Sequence, residues 1–393
     1  MYMNKVPVGP LTMVDDIATI VKCNTVEGIE INVKNDNFVK TKKLEFQTAK
    51  GKCSSIHIGE NVCSSKYYAN NKEIEKANKA KYLGDMLSNN LEDLYENRAE
   101  KASGYGAMCL GMANEISLGF HLFSIAKILH ESIFINGTII NMETWTNCST
   151  ARIEVFERKE QNYFRQILKA HSKTAIEALY LELGVIPFRF KLMKRRILYY
   201  HQVMARSNNE VTKCVINAQK ENPLKGDFHS QVKENMEALN ISELDIKLRK
   251  KEELKDILDE KIREHALGEL LDNDHSKTRN SIYKNLKGSA YLFDKRFTPD
   301  LAKLVFKFRT RMYEVKSNFG KKHSHKDLLC PVCQVENEID SQEHLYFCKS
   351  LSVDNKPNTY EELFSDDVDR VFGAAKVTQI LVKKRELLLE PST

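Results

Sequence analysis

The sequence predicts an α+β fold that is mostly α. Three observations predict it. Short runs of β-branched and apolar residues are confined to the first part of the chain, up to about residue 88. From about residue 89 apolar residues recur at steps of three and four, the helical period. A Cys/His segment with metal-ligand spacing then lies near the end. These features divide the chain into 1–88, a helical body over 89–318, a Cys/His segment over 319–352 and a helical tail over 353–393.

The first part is read element by element. In "LTMVDDIATIV" apolar residues flank Asp15 and Asp16, which predicts strand, tight turn and strand. Residues 26–43 are expected to be helical. "KCSSIHIG" reads as a short strand ending at Gly59, and "KYLGDML" as a further strand-like piece. In the helical body, Ile153, Phe156, Tyr163, Phe164 and Ile167 form one stripe. Phe190, Met193, Ile197, Tyr200 and Met204 form another. Ser242 with Asp245 predicts an N-cap that opens one long charged helix to about Leu271. Thr298-Pro299 predicts a second start, for a helix to about Val315. "ENPLKGDF" is a break, and the apolar "VTQILVKKRELLLE" is a helix near the end.

The 393 residues are 42% hydrophobic and 29% charged, which suits a folded chain with a substantial core. The net charge of +6 is mild; it permits a polyanion partner and does not establish one. Nine cysteines, an odd number, with no secretory signal in "MYMNKVPVGP", indicate a reducing compartment and mostly free thiols. No membrane span is expected, because the most apolar stretch, 116–140, is broken by His121, Lys127, His130 and Glu131.

Three constellations can carry chemistry. Cys330 and Cys333 form one close pair, and His344 and Cys348 another. Four soft ligands at such spacings can close a tetrahedron around a structural zinc, leaving no open position for catalysis. The rival readings are a buried thiol cluster and a redox CxxC, and the second lacks its βαβ context. Next, basic residues interleave with aromatics: Arg189, Lys191, Lys194, Arg195 and Arg196 in one run, and Lys303, Lys307, Arg309 and Arg311 in another. Such faces suit a phosphate backbone. The plainer reading is that the cations solvate exposed helix faces while the aromatics fill a core. The second run leads straight into the Cys/His segment, which favours nucleic acid. Finally, Asp15 and Asp16 could bind a divalent ion such as Mg²⁺. From local chemistry alone a solvated turn is preferred, because Asp is a favoured turn residue.

The order of these pieces resembles the C-terminal half of a reverse transcriptase of a LINE-type, non-LTR retrotransposon. "PVGPLTMVDDIATI" resembles the palm hairpin with paired aspartates, and "KKLEFQTAKGKCSSIHIG" the palm segment that follows it. "KYLGDML" resembles the primer grip. "NMETWTN", "LYLELGVIPFRFKLMKRRILYYHQVMAR" and "NPLKGDFHSQV" resemble the helical thumb and connection, and "CPVCQVENEIDSQEHLYFCKSL" the C-terminal zinc knuckle. The resemblance runs over nearly the whole chain, and its specificity lies in the collinear order of many segments.

It implies an incomplete palm-like β/α segment, a large thumb and connection region, and a zinc knuckle. In the family the palm binds two Mg²⁺ ions and extends a DNA primer on an RNA template, so RNA and DNA are the implied partners. Asp15 and Asp16 match the metal-binding aspartates, Lys52 a lysine of the later palm segment, and Tyr82, Leu83 and Gly84 the primer-grip "YLG". Two departures matter. Met13-Val14 stands where the family usually has an aromatic-Ala or similar dipeptide. Only fourteen residues precede Asp15, none of them acidic, whereas in the family a further catalytic aspartate and the fingers come before this hairpin. The resemblance therefore implies a chain that starts in mid-palm, does not polymerise alone, and uses Mg²⁺ only if its site is completed. No endonuclease is legible. A non-catalytic RNA- or DNA-binding protein and a helical zinc scaffold are the alternative readings. The family works on chromosomal DNA after cytoplasmic translation, so a nuclear or cytoplasmic location is expected.

Overall fold

The computed structural model describes residues 11–13, 16–18, 31–32, 54–56, 67–69, 72–82, 85–88, 90–117, 121–272, 286–319, 328–351 and 359–389. The described residues are mostly helical. The chain divides into two compact units, Met1–Glu100 and Lys101–Thr393.

The first unit holds short strands. Leu11–Met13 pairs antiparallel with Asp16–Ala18, in the register Met13↔Asp16. The two expected strands are therefore present and paired. Asp16 begins the second strand, and Asp15 lies outside the described residues. Within the span expected to be helical, Ile31–Asn32 is a strand, parallel to Tyr67–Tyr68. That corrects the helix reading where the span is described: these residues bond to a distant strand, and tertiary pairing overrides helical spacing. Ser54–Ser55 pairs parallel with Glu75–Lys76. "KYLGDML" is part of a hairpin rather than a single piece, since Lys79–Tyr82 pairs antiparallel with Asp85–Ser88.

Helix α1, Leu91–Ile116, runs across the division between the units. The second unit continues with α2, Leu122–Leu129, which passes into a π-helical turn at His130–Ile135. Next come α3, Thr150–Leu168; α4, Ile176–Leu183; and α5, Phe188–Met204. Ser149 caps α3 by accepting from the Arg152 amide. Both expected stripes turn inward: Phe156, Tyr163, Phe164 and Ile167 on α3 are buried, as are Phe190, Ile197 and Tyr200 on α5. The core between them is aromatic. Phe156 stacks on Phe188 at 5.4 Å, and Phe164 meets Tyr180 edge-on at 5.6 Å.

Helix α5 begins after Pro187 with no side-chain cap of its own. Carboxylates of α3 satisfy its first amides instead. Glu160 accepts from the Phe188 amide at 3.0 Å, and Glu157 from the Arg189 amide at 3.2 Å. Glu160 is fully buried and also holds the Tyr180 hydroxyl at 2.7 Å and His130 Nε2 at 2.8 Å. An anion at a helix N-terminus is favourable in just this way, since the amides would otherwise be buried unpaired.

Helices α6, Val211–Glu221, and α7, Phe228–Ala238, flank the expected break. There Asp227 caps α7, accepting from Ser230 at 2.7 Å. The charged region expected as one helix is two. Ser242 and Asp245 form a capping box, but that helix covers only Glu243–Leu248, and α8 then spans Lys251–Asp272. Arg249 between them is extended, and its carbonyl lies 3.1 Å from Nε2 of His201, a tertiary contact where an intrahelical bond would have been. Helix α9, Pro299–Arg309, starts at Thr298 as expected but stops short of Val315. Arg311 turns left-handed at φ 56°, and the Met312 amide donates back to the Lys307 carbonyl at 2.8 Å, a Schellman closure. Helix α10, Val368–Leu389, contains the expected apolar tail helix. Among the described residues no helix is long and apolar enough to cross a membrane.

Candidate metal centre and the basic residues

The Cys/His segment folds as a hairpin followed by one helical turn. Leu329 bridges Ile339 antiparallel, and the Cys330 amide donates to the Glu338 carbonyl at 2.8 Å. Between these positions the chain reverses through Gln334 and Asn337, both left-handed at φ 52° and 71°. The Gln334 amide donates to the Cys330 carbonyl, a tight knuckle that presents the Cys330 and Cys333 thiols together. The Ser341 hydroxyl then accepts from the His344 amide at 3.0 Å and opens the turn His344–Phe347. The Cys348 amide donates to the His344 carbonyl, which places the second pair of ligands on one side of that turn.

The ligand atoms of Cys330, Cys333, His344 and Cys348 all lie within 4.8 Å of one another. In a tetrahedral zinc-thiolate site neighbouring ligand atoms sit about 3.8 Å apart, as bonds of about 2.3 Å require. The four atoms thus need to draw in by less than about 1 Å to close on an ion, and the cluster could hold a metal. His344 Nε2 already lies 3.4 Å from Cys333 Sγ. Cys330 and Cys348 are buried, so without an ion their protons are hard to remove. Burial, then the neighbouring Cys330 and Cys333, pushes the Cys348 thiol up to about 11, and burial raises Cys330 as well. A bound dication reverses that balance by stabilising each thiolate it contacts.

Two residues the spacing did not point to complete the centre. Glu338 Oε2 lies 2.9 Å from His344 Nδ1. It fixes the ring so that Nε2 is the atom offered to the cluster, the arrangement common behind metal-bound imidazoles. The sequence signal was a carboxylate inside the loop between the ligand pairs, but its facing His344 depends on the hairpin register. Replacing Glu338 by alanine is expected to weaken metal affinity by about 10–100-fold, with partial recovery in Glu338→Gln. Competition with a chelator measures it, and an unchanged affinity would show that His344 is oriented by something else. The second residue is Asp340, fully buried. It accepts from the Lys316 amide at 3.0 Å and from Arg385 Nη2 at 2.9 Å. It ties the hairpin to α10 and to the segment after α9. Tyr346 hydrogen-bonds Thr378 of α10 from the other side.

The basic residues fall in several environments. Arg189 grips both oxygens of Glu157 at 2.8 Å and reaches Glu269 at 2.7 Å. Lys191 pairs with Glu131, Lys194 with Asp259, and Arg195 with the Asn136 side-chain oxygen. Arg196 and Arg309 are buried: Arg196 reaches the Trp145 carbonyl at 3.3 Å, and Arg309 holds Glu182 at 2.8 Å. These two point inward, not to the outer face the sequence pattern suggested. Their neighbours gave the signal, since Arg196 lies between Leu192 and Tyr200 on one helical face, and Arg309 continues the face of Ala302, Val305 and Phe306. Lys303 and Lys307 are partly exposed and Arg311 is exposed. Burial, then the positive charge of Lys169, makes the Lys303 amine easier to deprotonate.

Of the polymerase-like positions, Asp15, Lys52, Leu83 and Gly84 lie outside the described residues. Asp16 stands opposite Met13 in its hairpin, and Tyr82 pairs with Asp85. No family model, curated protein or solved structure matches this chain.

Proposed function

We propose that this chain carries palm, thumb and zinc-knuckle segments like those of a LINE-type reverse transcriptase, and that its helical body binds RNA or DNA. The ion is a structural Zn²⁺. The observation that supports this most is the Cys330–Cys333–His344–Cys348 cluster, which joins four ligands at the position in the chain where the resemblance expects a knuckle. Three sulfurs and one imidazole nitrogen suit zinc, and a four-ligand set favours a structural over a catalytic ion. Lys303 and Lys307, partly exposed, and Arg311, exposed, supply positive charge for a phosphate backbone.

A second reading, a metal-braced helical scaffold with no nucleic-acid role, is favoured by one observation. Arg189, Lys191, Lys194 and Arg309 are already paired with carboxylates of this chain. Equilibrium binding of labelled RNA across a salt series separates the two. Under the first reading affinity falls steeply with salt. Lys303→Gln/Lys307→Gln then lowers the slope of log K against log salt by about one for each phosphate that is no longer neutralised. Binding should be indifferent to Asp15→Ala/Asp16→Ala. No binding even at low salt, from a folded and metal-loaded chain, would leave the scaffold reading.

A further inference from the structure

The ligands of the candidate metal centre are not equally sheltered. Cys330 and Cys348 are 1% and 3% exposed, whereas Cys333 is partly open to solvent. Its Sγ lies 3.4 Å from His344 Nε2, and the sulfurs of Cys330 and Cys348 lie within 4.8 Å of it. The knuckle, closed by the Gln334 amide on the Cys330 carbonyl, holds Cys330 and Cys333 on one tight turn. One reachable sulfur therefore has two buried ones as neighbours. The described residues also include an exposed cysteine outside this cluster, Cys214 on α6, whose thiol donates to the Asn208 carbonyl at 3.2 Å.

The ligand set decides how such a sulfur reacts. Three thiolates and a neutral imidazole around a dication leave the set net negative, so electron density stays on sulfur. The Glu338 carboxylate behind His344 Nδ1 adds to that density. The thiolate, not the thiol, is the form that attacks an electrophile. An ordinary cysteine is only roughly a few per cent thiolate at neutral pH, whereas a cysteine that ligates a metal is wholly so. Exposure and ionisation therefore single out different cysteines in this chain. Cys214 is the more exposed, and Cys333 is the one held as a thiolate once metal is bound.

We propose that Cys333 is a site of reversible oxidative modification, at which hydrogen peroxide converts the Cys330–Cys333 pair to a disulfide and the metal is released. The inference rests on the reading of the cluster as a structural zinc site and adds a reaction to it. Cys333 Sγ attacks one peroxide oxygen: an S–O bond forms, the O–O bond breaks, and the leaving oxygen is protonated by solvent. Cys330 Sγ then attacks Cys333 Sγ: the S–S bond forms, the S–O bond breaks, and the departing hydroxide is protonated in turn. Each sulfur has given up one electron, and the peroxide, with two protons from solvent, has become two waters. His344 and Cys348 are then the ligands left, too few for a closed site. The hairpin keeps its ties to α10 through Asp340 on Arg385 and Tyr346 on Thr378 but loses its metal brace.

The test treats the full, metal-loaded chain with hydrogen peroxide at neutral pH. A weak colorimetric indicator follows released zinc, and peptide mass spectrometry follows each cysteine. Cys333 is expected to be consumed about tenfold faster than Cys214, the thiolate advantage less the effect of partial burial. About one zinc should leave for each Cys330–Cys333 disulfide formed, and dithiothreitol with added zinc should restore the metal content. In a chain stripped of metal beforehand the preference for Cys333 should vanish, because it belongs to the metal-held thiolate. Faster loss of Cys214 with zinc retained would overturn the proposal and leave the zinc site in place. So would a preference for Cys333 that survives stripping, a disulfide made to Cys348 instead, or release accompanied only by sulfinic or sulfonic acid. A purified chain that holds no zinc and takes up none would overturn both readings together.

Discussion

Cys333→Ser is expected to abolish metal binding and to unfold the segment 328–351 together with its contacts to α10. The wild-type chain should carry about one zinc per chain, as a closed four-ligand site holds one ion, and the variant none. A serine hydroxyl does not replace a thiolate in a soft-ligand set, and three remaining ligands leave two buried thiols without the cation that would keep them ionised. The loss of stability should be on the order of 5 kcal/mol, less than the about 10–16 kcal/mol apparent for zinc-finger peptides that have no other core. It is smaller here because the hairpin is also held by Asp340 on Arg385 and by Tyr346 on Thr378. Elemental analysis gives the metal content and calorimetry the shift in Tm. Equal metal in wild type and variant would remove the site altogether. Acid should mimic the mutation, because binding displaces thiol protons and affinity therefore falls as pH falls.

What could be read from the sequence was what local spacing controls. The four metal ligands lie within nineteen positions, in two close pairs, so spacing alone places them together. The same holds for the Ser242 and Thr298 caps and for the inward stripes of α3 and α5, which depend only on a period of 3.6. Distant pairings were not legible. Ile31–Asn32 joins a strand more than thirty residues away, and Glu157 and Glu160 cap a helix that begins after a proline in another part of the chain. Glu338 was hidden for a smaller reason, since its facing His344 is decided by the register of Leu329 against Ile339. The basic runs misled most where charge type was weighed before helical position. Arg196 and Arg309 look like phosphate ligands by composition, but by periodicity they belong to the buried faces of their helices.

Arg309 offers the sharpest contrast between those two ways of reading, because they expect different losses from one substitution. In the structure its guanidinium donates to Glu182 at 2.8 Å, to the Leu363 carbonyl at 2.8 Å and to the Ser289 hydroxyl at 3.4 Å, and it lies 5.4 Å from the Tyr291 ring centre. It thereby joins α9 to the end of α4 and to the turn before α10. Both charges are out of water: the side chains of Arg309 and Glu182 are 4% and 0% exposed. The attraction between such a pair is largely spent on desolvating it, so its net contribution is small, but removing one partner strands the other charge in the interior. Arg309→Ala is therefore expected to cost about 3–5 kcal/mol, and Glu182→Ala a similar amount. The double replacement Glu182→Leu/Arg309→Met should recover most of that, because two apolar side chains of similar volume need no partner. Denaturant unfolding of the three variants measures this cycle. If Arg309 were instead a phosphate ligand on the surface, Arg309→Ala would leave stability within about 0.5 kcal/mol and weaken RNA binding. A lowered Tm with unchanged affinity of the folded fraction assigns Arg309 to the core, and the nucleic-acid surface then has to be drawn from the exposed lysines around it.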